Sequence, residues 1–144
     1  VAAHSNSTET QQQADMEVRI GSGCQTDVGT AQFIKYMANC FFATKVSFMN
    51  EMRQAANKLS VDWNQVMNGF VSDGRIGNSH LDVPGHDGSL GFGGKCFPKD
   101  INAFINLFES IGIDPTVMKA AWDKNLEVRQ NHDWEKIKGA VSNG

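Results

Sequence analysis

Between Gly29 and Gly69 the chain contains neither glycine nor proline, and its first proline is Pro84. These two residues oppose a continuing helix most strongly, by about 1 and about 3 kcal/mol relative to alanine. The gap therefore predicts a helix from about Thr30 to Leu59, capped by Asp27 or Thr30. At ~1.5 Å per residue it would be roughly 45 Å long. Its apolar residues, Phe33, Ile34, Met37, Phe41, Phe42, Val46, Phe48, Met49 and Met52, fill more than one narrow stripe, as in a helix covered on several sides. A chain of 144 residues has little else to cover such a surface, which points to a second subunit.

Asp62 with Gln65 three residues on resembles a capping box, and Val61, Trp63, Val66, Met67 and Phe70 predict a short amphipathic helix to about Val71. From Gly74 to Lys95, seven glycines and Pro84 break every period, so Arg75 to Lys95 reads as a long loop, of a length that is usually functional or mobile. Pro98 suits the first position of a third helix, running to about Ser110 and stopped by Gly112. Asp114-Pro115 opens a fourth, expected to reach about Lys138 before Gly139. A short strand from Met16 to Ile20 would end at Gly21-Ser22-Gly23. There is no internal repeat and no strand–helix alternation, so the predicted fold class is all-α, built on long helices over about 30–59 and 115–138. Residues 1–15, rich in Ser, Thr, Asn and Gln, read as a disordered tail or added residues, 16–138 as the domain and 139–144 as a second tail. The start at Val1 reads as a cut piece.

An apolar content of 40% supports one core. A formal charge of -3, without a Lys/Arg cluster, argues against nucleic-acid or anionic-membrane partners. Cys24, Cys40 and Cys96 are odd in number and lack Cys-x-x-Cys spacing, which fits neither a disulfide scaffold nor structural zinc and points to a reducing, cytoplasmic compartment. No apolar run approaches the ~20 residues of a membrane span, and residues 1–15 have no apolar core for a signal peptide. His80, His86 and His132 have neither the spacing nor the carboxylates of a metal site, and no metal is predicted. Gly21-Ser22-Gly23 fails as a dinucleotide loop, because the third glycine would fall at Thr26 and no second strand follows the helix.

The chemistry concentrates in Gly91-Phe92-Gly93-Gly94-Lys95-Cys96-Phe97-Pro98-Lys99-Asp100. Cys96 would sit just before a helix, where unpaired N–H groups and the helix dipole favour a thiolate. Lys99 adds a cation, Asp100 a carboxylate four residues after the thiol that could orient water or shuttle a proton, and the three glycines clearance for another molecule's atoms. Cys24 and Cys40 read as buried small hydrophobes. For Cys96, the residues alone leave both packing and nucleophilic roles open. Lys35 and Asn39, four apart, share a helix face. By default they are an exposed pair, although their apolar neighbours favour a ligand. Arg75 is by default a solvated turn residue, with anion binding the minority reading.

Taken together, the Cys96 block, Phe33-Ile34-Lys35-Tyr36-Met37-Ala38-Asn39 leading into Ala43-Thr44-Lys45-Val46-Ser47-Phe48-Met49-Asn50-Glu51, and Gly74-Arg75-Ile76-Gly77 resemble the central domain of the UDP-glucose/GDP-mannose dehydrogenase family. The similarity runs from about Gln25 to Lys138. Lys95 and Lys99 bring it nearer the UDP-glucose type than the enzymes acting on N-acetylated amino sugars. The resemblance implies a helical domain like the C-terminal domain of 6-phosphogluconate dehydrogenase. It also implies oxidation of UDP-glucose to UDP-glucuronate, with GDP-mannose the alternative substrate, by two NAD in succession. Cys96 would trap the aldehyde as a thiohemiacetal and later hold a thioester, chemistry suited to a positioned thiol. Lys35 would stabilise oxyanions, Asn39 bind near the reacting carbon, and Asp100 position or activate water. Arg75 would reach the nucleotide sugar of a neighbouring subunit, Phe92 and Gly93 line the substrate cleft, and Lys99 meet the cofactor. The long helix would form a homodimer core. The family's NAD-binding Rossmann domain and C-terminal domain have no counterpart in this sequence, so the chain alone is expected not to turn over. A different reading is a helical dimerisation module in which Cys96 is a relic.

Overall fold

The computed structural model describes residues 18–20 and 24–140, with side chains described from Asp27 onward. The sequence readings for residues 1–15 and 141–144 lie outside these, as does Gly21-Ser22-Gly23. Two units follow each other along the chain, residues 1–38 and 39–144.

In the first unit, β1 (Val18–Ile20) pairs antiparallel with β2 (Cys24–Thr26), Val18 opposite Thr26 and Ile20 opposite Cys24. The sequence reading anticipates only the first strand, which it begins at Met16. Helix α1 (Val28–Leu59) starts two residues earlier than expected. Asp27 caps it, its carboxylate accepting from the Thr30 N–H at 2.9 Å and the Thr30 hydroxyl at 2.6 Å. A carboxylate at this end also faces the positive pole of the helix dipole.

The second unit contains the rest of α1, then α2 (Trp63–Val71), α3 (Cys96–Ser110), α4 (Thr116–Val128) and a 3₁₀ turn (Asp133–Lys136). The described residues thus form the four-helix, essentially all-α fold expected. Among the buried residues of α1, Cys40, Ala43, Ser47 and Asn50 are spaced three, four and three residues apart, a helical stripe of small side chains. Small residues let neighbouring backbones approach closely enough for the Ser47 hydroxyl to donate to the Ala121 carbonyl of α4 at 2.6 Å. The large side chains Phe41, Phe48, Met52 and Leu59 of the same helix stay exposed.

Asp62 caps α2 by accepting from the Asn64 and Gln65 N–H groups at 2.9 and 3.2 Å. Only this half of the capping box forms as drawn, because the Gln65 amide turns to the Asp62 carboxylate instead of its backbone N–H. Trp63, Met67, Phe70, Val71 and Ile76 pack on buried Met49, Leu81 and Val83. Full burial of a side chain such as Met49 or Leu81 contributes about 1.5–3 kcal/mol, and the partly buried ones contribute less.

Two boundaries correct the sequence reading. Helix α3 begins at Cys96, so Pro98 occupies its third position and Cys96 lies inside the first turn. Proline is tolerated throughout that turn, because none of its N–H groups has an intrahelical acceptor. Helix α4 ends at Val128 and not near Lys138, since Arg129 leaves helical geometry at φ -90° and ψ 114°. Arg129 is 3% exposed. Its guanidinium donates to the Asn131 carbonyl at 2.9 Å and to Asp87 at 2.8 Å, contacts that turn the chain away from the helix axis. The start of α4 carries no side-chain cap. Asp114, expected there, lies 3.5 Å from Lys119 Nζ.

Candidate active site

The unit of residues 39–144 brings Cys96, Asp100 and Asn39 together through two helices. Cys96 is exposed, at the first residue of α3. Lys95, preceding it, has helical backbone angles and makes no side-chain cap. In the first turn Pro98 has no N–H to satisfy, and the Lys99 N–H reaches back to the Lys95 carbonyl at 3.3 Å. One turn along, Asp100 is fully buried. Its Oδ2 accepts from the Asn39 amide of α1 at 2.6 Å, and Oδ1 lies 2.9 Å from Lys99 Nζ, an ionic contact outside good hydrogen-bond direction. The next residue of α1, Cys40, directs its thiol to the Asp100 carbonyl at 3.7 Å. Burial, with the negative charge of Asp100 beside it, pushes the Cys40 thiol up to about 12. The two thiols therefore differ sharply: one open at a helix start, one sealed in the core.

Asp100 is sealed from solvent in the single chain, with Oδ2 on Asn39 and Oδ1 beside Lys99. The glycines carry a different burden from the one read in the sequence. A Cβ on Gly91 would lie 2.3 Å from Asn125 Oδ1, and one on Gly93 would lie 2.3 Å from Arg129 Nη2 and 2.4 Å from Asp133 Oδ1. Their clearance is filled from within the chain. Gly94 is the one open to its surroundings, with φ +74° and nothing within 4 Å of the place a Cβ would take. Phe92 is 4% exposed in the single chain, its ring 6.1 Å from Phe97 and 6.0 Å from Trp122.

Arg75 projects into solvent, 89% exposed, gripped by Asp73 through Nε at 2.9 Å and through Nη2. That guanidinium holds the Asp73 carboxyl below its usual range. Lys35 is an exposed residue of α1 in the first unit.

The sequence reading passed over several residues that shape the site. His80 adopts φ +61°, stacks on Phe42 at 4.3 Å and lies 5.4 Å from Phe97, next to the nucleophile candidate in sequence. Desolvation, then the nearby charges of Lys45 and His86, lower its pKa. Asn125, Arg129 and Asp133 hold the backbone of the glycine loop and sit at positions read as an unbroken helix. No spacing signal marks them. A cavity of about 510 Å³ opens between α2 and residues 78–86, lined by Trp63, Asn64, Met67, Asn68, Asp82 and His86 among others, and includes none of the predicted site residues. Among the described residues no group of three or more His, Cys, Asp and Glu side chains is placed to hold a metal ion, and no helix is long and apolar enough to cross a membrane.

An exposed thiol at a helix start, four residues before a buried carboxylate tied to a second helix, marks the candidate site of this helical domain. A sequence profile of the UDP-glucose/GDP-mannose dehydrogenase family, central domain, matches residues 29–127. The chain is 40% identical over 106 residues to a UDP-glucose 6-dehydrogenase of Rickettsia conorii, covering 74% of this chain and 23% of the relative. It is 42% identical over 100 residues to one of Pseudomonas aeruginosa, covering 69% and 21%. A solved UDP-glucose dehydrogenase from Pyrobaculum islandicum superposes with a TM-score of 0.63 at 38% identity, over 71% of this chain and 22% of that one. The chain belongs to the UDP-glucose/GDP-mannose dehydrogenase family and carries its central domain. It spans less than a quarter of the length of these relatives.

Proposed function

We propose that the chain is the cysteine-bearing, dimer-forming part of a cytoplasmic nucleotide-sugar dehydrogenase that oxidises UDP-glucose to UDP-glucuronate. The observation that carries this reading is the exposed Cys96 thiol at the first residue of α3, four residues before a buried Asp100 bonded to Asn39, in a chain whose relatives are named UDP-glucose 6-dehydrogenases. Two free thiols among the described cysteines accord with a reducing compartment.

Such an oxidation takes NAD as its electron acceptor. The described residues do not fit a dinucleotide: their one sheet is a two-stranded antiparallel pair, whereas dinucleotide sites form at the carboxyl ends of parallel strands. The chain's own groups act on the sugar. Cys96 Sγ adds to the C6 aldehyde carbon, forming a C–S bond while the carbonyl oxygen takes up a proton. At the acid oxidation level, water attacks the thioester carbon, the C–S bond breaks, and carboxylate and thiol are released. Asn39 and Lys99 present N–H donors to the developing oxygen charge, and Asp100 holds both in place. Lys35 supplies a further cation, and Arg75 serves the sugar nucleotide of a neighbouring subunit. Phe41, Phe48, Met52 and Leu59 form an apolar stripe at spacings of seven, four and seven residues, which a second copy would cover.

The test is a chimera in which residues 29–127 replace the corresponding segment of a full-length UDP-glucose 6-dehydrogenase. NADH should form with UDP-glucose and not with GDP-mannose, and should cease on Cys96→Ala. The 144-residue chain alone should give no steady NADH. A folded, dimeric but inactive chimera would favour a non-catalytic dimerisation module.

A further inference from the structure

The stretch before Cys96 has no secondary structure, yet its backbone is not left to water. The Asn125 side chain, wholly buried, pairs with both backbone groups of Phe92: Oδ1 accepts from the N–H at 2.7 Å and Nδ2 donates to the carbonyl at 2.9 Å. One carboxamide thus does for Phe92 what a neighbouring strand would do. On either side, Asn50 Oδ1 accepts from the Gly91 N–H at 3.2 Å and Asp133 Oδ2 from the Gly94 N–H at 3.0 Å. Arg129 leans on the same segment, with Nη1 3.5 Å from the Leu90 carbonyl and Nη2 on Asp87. Four side chains, from α1, α4, the residue after it and the 3₁₀ turn, therefore hold loop backbone from Leu90 to Gly94, which ends two residues before the thiol.

We propose that Asn125 is the positioning residue of the nucleophile loop, fixing Phe92 so that α3 starts at Cys96 with its thiol in one place. This role rests on Cys96 being the nucleophile. A leucine at 125 would leave both Phe92 groups buried and unpaired, and an aspartate would set a carboxylate oxygen against the Phe92 carbonyl. Only the aspartate can be repaired by a proton, because its acid form regains a donor.

The experiment measures labelling of Cys96 by methyl methanethiosulfonate in the native chain and in Asn125→Asp, as the ratio of the two rates across pH 4.5–8. Buried Cys40 reports on the integrity of the fold. The ratio should fall about tenfold at neutral pH, the effect of one lost buried hydrogen bond, and return toward unity as the carboxyl is protonated, with Cys40 unlabelled throughout. A ratio of one at every pH overturns the proposal, as does a deficit that acid does not repair. Hydrogen exchange in the unsubstituted chain gives an arm that needs no variant. The Phe92 amide should exchange as slowly as core amides of α1, and exchange at the rate of an exposed loop would overturn the proposal even if Asn125→Asp fails to fold. If native Cys96 reacts no faster than an unfolded peptide of residues 91–100, the nucleophile reading fails, and the exchange arm alone decides whether Asn125 holds the loop.

Discussion

Two alanine substitutions three residues apart separate conformational cost from packing cost. Gly91 and Gly94 both have left-handed backbones, at φ +67° and +74°. An alanine there costs about 1–2 kcal/mol in the folded state, of which the stiffer unfolded chain offsets about 0.4–1 kcal/mol. Gly94→Ala meets nothing else, since no atom lies within 4 Å of its new methyl, and the net loss is about 1 kcal/mol. Gly91→Ala places its methyl 2.3 Å from Asn125 Oδ1 and 3.2 Å from both Arg129 Cβ and Val128 Cγ2. The amide cannot retreat without releasing Phe92, which breaks two buried hydrogen bonds at about 1–3 kcal/mol each. The total for Gly91→Ala is then about 3–7 kcal/mol, a large part of the ~5–15 kcal/mol that holds a typical domain together. Urea unfolding followed by circular dichroism, with matched slopes, measures both. If the two variants differ by less than about 1 kcal/mol, the internal filling of the Gly91 space is not what constrains it.

Other outcomes follow from the same geometry. At pH 7.5 iodoacetamide should modify Cys96 and leave Cys40 intact, because burial holds the Cys40 thiol near pKa 12; mass spectrometry of the peptides reads this, and equal labelling would contradict the packing around Asp100. Phe48→Arg should convert a dimer to a monomer in light scattering at micromolar concentration without loss of helix, since Phe48 is 51% exposed in the single chain. A chain that is monomeric before substitution would refute the interface. His80 binds its proton less readily when folded, so the unfolded chain takes up more protons as pH falls through the ordinary histidine range, and stability should decline from pH 7 toward 5. His80→Gln should flatten that decline in thermal melts. Asn39→Ala removes the donor to Asp100 Oδ2 and leaves a buried carboxylate short of a partner, for a loss of about 1–3 kcal/mol in chemical denaturation.

The helices of this chain were legible because their causes are local. The long stretch free of glycine and proline became α1, and Asp27 and Asp62 capped helices from positions that composition alone marks. The block around Cys96 was likewise visible as residue types in order, and its likeness to one family was readable from three such blocks. Everything set by approach in space was not. Periodicity put apolar residues on several faces of α1 but could not say that Cys40, Ala43, Ser47 and Asn50 would face inward while Phe41 and Phe48 stayed out, since that depends on how closely α4 can come. A run of helix-forming residues extends past Val128, yet Arg129 breaks it, because a buried guanidinium with Asp87 and the Asn131 carbonyl outweighs the small local preference for another turn. Sequence therefore determined that four helices form, the caps of α1 and α2, and the thiol at the head of α3. Tertiary structure alone decided that Gly91 and Gly93 make room for the chain's own Asn125 and Arg129, because a missing side chain does not say which atoms will occupy the space it leaves.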